Sequence, residues 1–331
     1  MSPAYPGRGS QSRRGSCHLT RISRSLKAHL LLVMIAFIWG STFVLVKEAL
    51  NDASPLVLNS ARMVVAAVLL AIFYRKKIAV LTKPALTAGV VVGFFLYAGY
   101  AFQTSGLKLT TPSKSAFLTG TSSVLVPLFL VAIWRVHIHL WRVAGIVLAL
   151  TGLFLMTVPG GGGLADFAKV NLGDLLTIGC AICFTFHVIF VGRASQRFPF
   201  EQVAFLQVGT AALFMTVSTP LLEHPYFRPT PTVIAAILVT GILCTAVAFS
   251  VQSWAQQFTP ATHTALIFTT EPVFAWLTSF ILLHERLGLR AGIGALLILG
   301  GVLVSELLGH VEKPDDETAQ EEAESPASSG G

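Results

Sequence analysis

Charge is the scarcest commodity in this sequence. Only 12% of its 331 residues are Asp, Glu, Lys or Arg, about half the ~25% usual in a soluble domain. With 53% hydrophobic residues and a mean hydropathy of +0.71, a water-soluble globule is excluded. The apolar runs are too long for barrel strands, which leaves membrane helices. Cysteine is also sparse: Cys17, Cys180, Cys183 and Cys244, three in apolar runs and one in a polar tail, so no disulfide framework is indicated. Cys180 and Cys183 form a CxxC inside a predicted membrane helix, where they read as two buried small residues on one face. Nucleotide and metal motifs are missing. Gly160 to Gly163 is not followed by Gly-Lys-Ser/Thr, which argues against an ATP-driven mechanism in this chain. His284-Glu285 opens like a zinc-protease HExxH, but Gly288 stands where the second histidine belongs. His137 and His139 offer two ligands at most. No metal and no cofactor is therefore expected.

Acidic residues are absent from residues 1–28, which carry Arg8, Arg13, Arg14, Arg21, Arg24 and Lys27. This superficially resembles an organelle transit peptide, but we read it as a disordered basic cytoplasmic tail. The first apolar run that follows is too long for a cleaved signal peptide. The net charge of +7 is a statement about topology rather than about nucleic acid, which is not an expected partner.

What the chain has in abundance is long apolar segments. Ten spans are predicted: His29–Lys47, Leu56–Tyr74, Ala85–Thr104, Ser115–Trp134, Trp141–Val158, Leu172–Gly192, Glu201–Leu221, Thr232–Trp254, His263–Leu283 and Gly288–Leu308. Each is long enough to cross a hydrocarbon layer about 30 Å thick. A Gly-rich connection, 159–171, divides them five and five, giving a first repeat at 29–158 and a second at 172–308. Residues 309–331 are acidic and Ser/Pro-rich, the composition of a disordered tail. With the N-terminus inside, fifteen basic residues fall in inner segments, seven in outer ones and Arg62 within a span. That asymmetry places both termini in the cytoplasm and favours a cell or bacterial inner membrane.

The stretch Thr259–Leu308 is the most informative. It is a helical hairpin with a short polar corner, and one carboxylate, Glu271 beside Pro272, lies inside its first arm. A carboxylate at that depth costs about 2.5–3.5 kcal/mol on insertion scales, which marks Glu271 as a candidate for proton uptake and release. At a rise of 1.5 Å per residue it sits roughly 12 Å from the inner end of its span, and Arg62 roughly 9 Å from the outer end of the second. Arg62 is expected either to pair with Glu271 or to bind a substrate carboxylate. Tyr97, Tyr100 and Gln103 share a helix face by their spacing. His187, His263, Gln207 and Gln252 add polar groups, and Trp39 and Trp276 candidate aromatic walls. Ser41, Thr42, Gly120, Thr121 and Gly292 are small enough for close helix contact.

The halves also echo one another. Pro55 matches Pro199, Pro112 matches Pro260, and Gly145 matches Gly292. Five spans per half is an odd number, so the second half must be inverted relative to the first, the organisation typical of secondary transporters. The run Ala36-Phe37-Ile38-Trp39-Gly40-Ser41-Thr42-Phe43 with Lys47, then Glu271-Pro272-Val273-Phe274-Ala275, His284-Glu285-Arg286-Leu287, Gly292 and Gly300-Gly301 resemble the EamA-like family of the drug/metabolite transporter superfamily. Arg62 also sits where that family commonly carries arginine. The resemblance covers roughly 29–308. It implies an all-α polytopic membrane protein with ten transmembrane helices in two inverted five-helix repeats, carrying small metabolites, often outward. One departure is that Ile138 occupies the first-half position corresponding to Glu285.

The expected function is a secondary transporter and exporter of small polar metabolites or amino-acid-like compounds. It would work by alternating access in a lipid bilayer, as a monomer or homodimer, with protons as a candidate coupling partner. The alternatives are a membrane-embedded enzyme on lipid-linked substrates, for which no clustered nucleophile or acid/base set is visible, and a non-transporting scaffold.

Overall fold

The computed structural model describes residues 23–110, 112–158, 170–283 and 288–308. The expectations for residues 1–22, for the acidic C-terminal tail and for Glu285 therefore lie outside the described residues, as does most of the Gly-rich connection, whereas residues 24–28, expected to belong to the disordered basic tail, are helical because Ser23 caps them.

Helices follow one another as α1 Arg24–Ala49, α2 Pro55–Phe73, a single turn α3 Arg75–Ile78, α4 Lys83–Leu109, α5 Pro112–Gly120, α6 Ser122–Trp134, α7 Leu140–Thr157, α8 Leu172–Arg197, α9 Phe200–Leu222, α10 Pro231–Val239, a π-helical segment Thr240–Val247, α11 Ala248–Ala255, α12 Ala261–Phe268, α13 Glu271–Leu283 and α14 Leu289–Leu308. No strand occurs among the described residues, only an isolated bridge between Ala53 and Phe227. Eight helical runs are long and apolar enough to cross a membrane, and α14 adds a shorter apolar stretch, Leu289–Ser305. The chain is an all-α polytopic membrane protein.

Helix ends follow local capping rather than hydropathy. Ser23 accepts from the Leu26 amide and starts α1, and Thr82 accepts from Ala85 and starts α4. Both helices consequently begin before their apolar runs, since a cap satisfies orphan amides whatever the hydropathy around it. Asn171 and Asp174 form a capping box at the head of α8, and Asp174 also accepts from the Thr110 hydroxyl at 2.6 Å.

Three predicted spans are not continuous α-helices. The fourth breaks at Thr121, between α5 and α6. The ninth breaks at Thr269–Thr270, between α12 and α13, and the eighth contains the π segment. The first two breaks are counterparts, 148 residues apart like Pro112 and Pro260. Thr121 Oγ1 donates to the Leu118 carbonyl at 2.5 Å, and Thr269 Oγ1 to the Leu266 carbonyl at 2.6 Å. Hydroxyls thus satisfy carbonyls that the interrupted ladder leaves free. In this register Ser123 stands opposite Glu271.

Helix contacts come in exchanged pairs. The first span packs on the ninth (α1 on α12 and α13) as the sixth packs on the fourth (α8 on α5 and α6). The first also packs on the eighth as the sixth packs on the third, and the second on the eighth as the seventh on the third. The second packs on the seventh, and α7 on α14, across the pseudo-twofold itself. Two inverted five-helix units generate this pattern.

The α7–α14 contact is backbone on backbone. A Cβ at Gly145 would sit 2.5 Å from the Gly301 carbonyl oxygen, and one at Gly294 would sit 2.5 Å from that of Gly152. The packing counterpart of Gly145 is therefore Gly294. Gly292, the match expected from sequence, has only the Trp276 ring nearby, at 3.8 Å. At the end of the bundle where α1 finishes, residues 50–54 dock on 223–230. Glu223 accepts from Ser54 Oγ at 2.7 Å and from the Leu56 and Val57 amides at 3.0 and 3.2 Å, capping α2.

Candidate functional site

Both halves wall a cavity of about 250 Å³ inside the bundle. Its lining runs from Leu50 and Leu107, near the ends of α1 and α4, down to Gln252 and Ala265, near the opposite end. Breaks in regular helix concentrate on its wall: Thr119, Gly120 and Ser122 flank the α5–α6 break, Phe268, Thr269, Glu271 and Pro272 the α12–α13 break, and Thr240 and Cys244 belong to the π segment. Irregular backbone at membrane depth is tolerated where it lines a cavity.

Arg62 and Glu271 are both on this wall, but the first of the two expectations for Arg62, an ion pair with Glu271, is not met among the described residues. Arg62 Nη2 donates to Tyr100 Oη at 2.9 Å and its Nε to Thr245 Oγ1 at 3.3 Å. Its guanidinium carbon lies 4.5 Å from the Tyr100 ring centroid. Thr245 in turn donates to the Thr240 carbonyl five residues back, at 2.9 Å, the spacing of a π-turn. The arginine is thus held by a phenol and by a hydroxyl that the π segment positions. Close approach is built in, because a Cβ at Gly241 would sit 3.1 Å from the Arg62 carbonyl.

Glu271 is the first residue of α13, where the helix dipole favours a carboxylate. Thr270 Oγ1 donates to the Ile267 carbonyl at 2.7 Å, so a second hydroxyl bridges the break that Pro272 enforces. Gly40 makes room for this corner, since a Cβ there would lie 2.6 Å from the Glu271 carbonyl. The Trp-Gly-Ser motif of α1 therefore has a packing reason. Trp39 sits in the cavity wall, its Nε1 donating to the Cys244 carbonyl of the π segment at 2.9 Å, and its ring 4.9 Å from Phe268 and 5.9 Å from Phe249.

Of the other predicted residues, Tyr100, Gln103, His187 and Gln252 line the cavity, while Gln207, Tyr97, His263 and Trp276 do not. Gln207 is fully buried one layer behind, its Oε1 accepting from His187 Nε2 at 2.7 Å. Tyr97 is separated from its predicted partners and packs on Phe214, ring centroids 5.7 Å apart. Three-residue spacing advances only about 300° around a helix, so the face drifts over two steps. His263 is stacked on His29 at 5.8 Å near the start of α1 and does not line the cavity. Trp276 packs with Leu153, Val273, Ala295 and Ile298. Cys180 is buried and Cys183 half-buried, both free thiols.

Sequence reasoning missed Asn59, Thr104, Cys244 and Thr245. Asn59 Nδ2 donates to Thr104 Oγ1 at 3.2 Å, and Thr42 Oγ1 lies 3.2 Å from Cys244 Sγ. Isolated Asn, Thr and Cys in apolar runs carry no pattern. Only the tertiary crossing distinguishes them from ordinary helix-packing residues.

Comparison with known proteins agrees with this architecture. The chain is 31% identical over 284 residues to an uncharacterized transporter of Archaeoglobus fulgidus, covering 86% of this chain and 87% of that one. It is 23% identical over 294 residues to a probable amino-acid metabolite efflux pump of Escherichia coli, covering 85% and 95%. Over 137 residues, 40% of this chain and 42% of the other, it is 30% identical to an S-adenosylmethionine/S-adenosylhomocysteine transporter of Chlamydia muridarum. A crystal structure sharing 22% identity superposes with a TM-score of 0.72 over 87% of this chain and 98% of that one, a likeness of fold. The EamA-like transporter family model matches twice, at residues 26–158 and 171–307, and the chain belongs to that family.

Proposed function

We propose that this protein is a secondary transporter that exports small polar metabolites or amino-acid-like compounds across the cell (inner) membrane. In this reading both termini are cytoplasmic. The halves 29–158 and 172–308 rock about the shared cavity, and Glu271 couples movement to the proton gradient. One observation carries the proposal: a cavity at membrane depth, walled by both halves, holds a fixed guanidinium and a carboxylate with no hydrogen bond or ion pair among the described residues. Polar groups in a membrane bundle are costly and mark substrate or ion pathways. A packing role for Glu271 would call for a partner, whereas a coupling role calls for a free carboxylate. Export is favoured by the name of the Escherichia coli relative, and the orientation by the excess of basic residues in the inner segments.

The test is reconstitution of the full chain in proteoliposomes. Efflux of radiolabelled amino acids and related metabolites is followed with and without an imposed pH gradient. Flux of at least one solute, accelerated by the gradient, is the expected result. Flux indifferent to the gradient removes proton coupling, and no flux of any solute under any gradient removes the transport reading.

A further inference from the structure

The lowest part of the cavity carries two buried hydrogen-bond relays whose directions can be assigned. In the first, the Val188 carbonyl can only accept, so the group 2.9 Å from it is the Gln256 amide nitrogen. Gln256 Oε1 then faces Gln252, whose Nε2 donates to it at 3.1 Å. That leaves Gln252 Oε1 as the atom without a partner, on a fully buried residue of the cavity wall. In the second, Ser253 Oγ gives its proton to the Phe249 carbonyl at 2.7 Å and accepts from Gln207 Nε2 at 2.9 Å. Gln207 Oε1 must then accept from His187 Nε2 at 2.7 Å, which puts the ring proton on Nε2. In the neutral ring Nδ1 is a lone pair, with no partner among the described residues.

The two relays run through neighbouring residues of the same two helices. His187 packs on Phe249, ring centroids 5.7 Å apart, one helical turn from Gln252, and Gln256 bonds to the residue after His187. Both relays are anchored on backbone carbonyls, so none of the three glutamine amides can turn over without losing a bond. Each leaves an unpartnered acceptor on a buried residue of the cavity wall. The opposite polarity lies at Arg62, a donor only. A buried acceptor left without a donor is destabilising, and a solute bringing several N–H donors would remove that cost.

We infer that Gln252 Oε1 and His187 Nδ1 form a donor-reading subsite at the base of the cavity that takes the ammonium group of the carried solute. Phe249 and Trp39 flank its apolar part. The inference rests on the proposed transport role and names the end of the solute that points down.

Three probes sharing a phenylethyl scaffold separate the chemistry: 2-phenylethylamine, its N-acetyl derivative and 3-phenylpropionate. Binding to the full chain in detergent is measured by calorimetry. The amine should bind at least tenfold more tightly than the N-acetyl compound, which offers a single N–H. Gln252→Met and His187→Phe each remove one acceptor. Each should reduce the preference for amine over carboxylate at least tenfold, with an unchanged size-exclusion profile. Equal binding of the amine and its N-acetyl derivative, or variants that weaken amine and carboxylate alike, would overturn the subsite. Amine selectivity without flux in proteoliposomes would leave the subsite standing and remove the transport role. Flux without amine selectivity would do the reverse.

Discussion

Arg62 is clasped by Tyr100 through both of the phenol's faces of chemistry. The guanidinium lies over the ring at 4.5 Å and donates to the hydroxyl at 2.9 Å. The two residues come from neighbouring helices of the first half, and the third contact, Thr245, comes from the second. The cation is therefore oriented by both halves, while the carboxylate on the same wall has no hydrogen bond or ion pair among the described residues.

Separating the two contributions of Tyr100 is straightforward. Tyr100→Phe keeps the ring and removes a charge-assisted hydrogen bond worth about 1.5–3 kcal/mol. Tyr100→Leu also removes the cation–π contact. Transport KM should rise about tenfold in the first variant and further in the second, measured by proteoliposome flux. Arg62→Lys should fare worse than Tyr100→Phe, because an ammonium cannot serve Tyr100 and Thr245 with a planar fork.

Glu271→Gln preserves shape and removes the titrating group. Uphill movement driven by a pH gradient should be lost, whereas solute counterflow at equal pH should persist. Loss of both would make Glu271 a solute-binding residue, and retention of both would exclude it from coupling.

Adjacent glycines on α14 should behave oppositely. Gly301 touches the Gly145 backbone, and a Cβ there would lie 2.8 Å from the Ala149 amide nitrogen, whereas Gly300 has nothing within 4 Å. Gly301→Ala should cost about 1–3 kcal/mol by overpacking. Gly300→Ala should be neutral or stabilise by up to about 1 kcal/mol through helix propensity. Thermal unfolding in detergent distinguishes them by the sign of the change in Tm.

The Glu223 carboxylate links the 223–230 loop to the head of α2 through three hydrogen bonds. Glu223→Ala should lower stability by about 1–2 kcal/mol, the scale of a lost helix cap with its dipole contribution. It should also increase proteolysis at the 50–54 and 223–230 loops while leaving α14 protected.

The span count, the helix class, the inverted repeat and the place of Glu271 and Arg62 inside the bundle were legible in the sequence. They depend on quantities a linear chain displays: length of apolar run, parity of spans, and charge where charge is expensive. Cap residues at Ser23 and Thr82 were legible in principle but hidden by reliance on hydropathy.

Which polar residues meet was decided by tertiary structure alone. Arg62 chose Tyr100 and Thr245 over Glu271 because a π segment brings Thr245 to it, and nothing in Thr240–Val247 announces a five-residue turn. Tyr97 and Trp276 left the site because helix phase and crossing, not residue type, select the wall. The pairing of Gly145 with Gly301 and of Gly152 with Gly294 arose from an antiparallel crossing between segments about 150 residues apart in sequence. Composition determines that such a chain must enter a membrane, and only the packing of its helices determines which of its few polar atoms find partners.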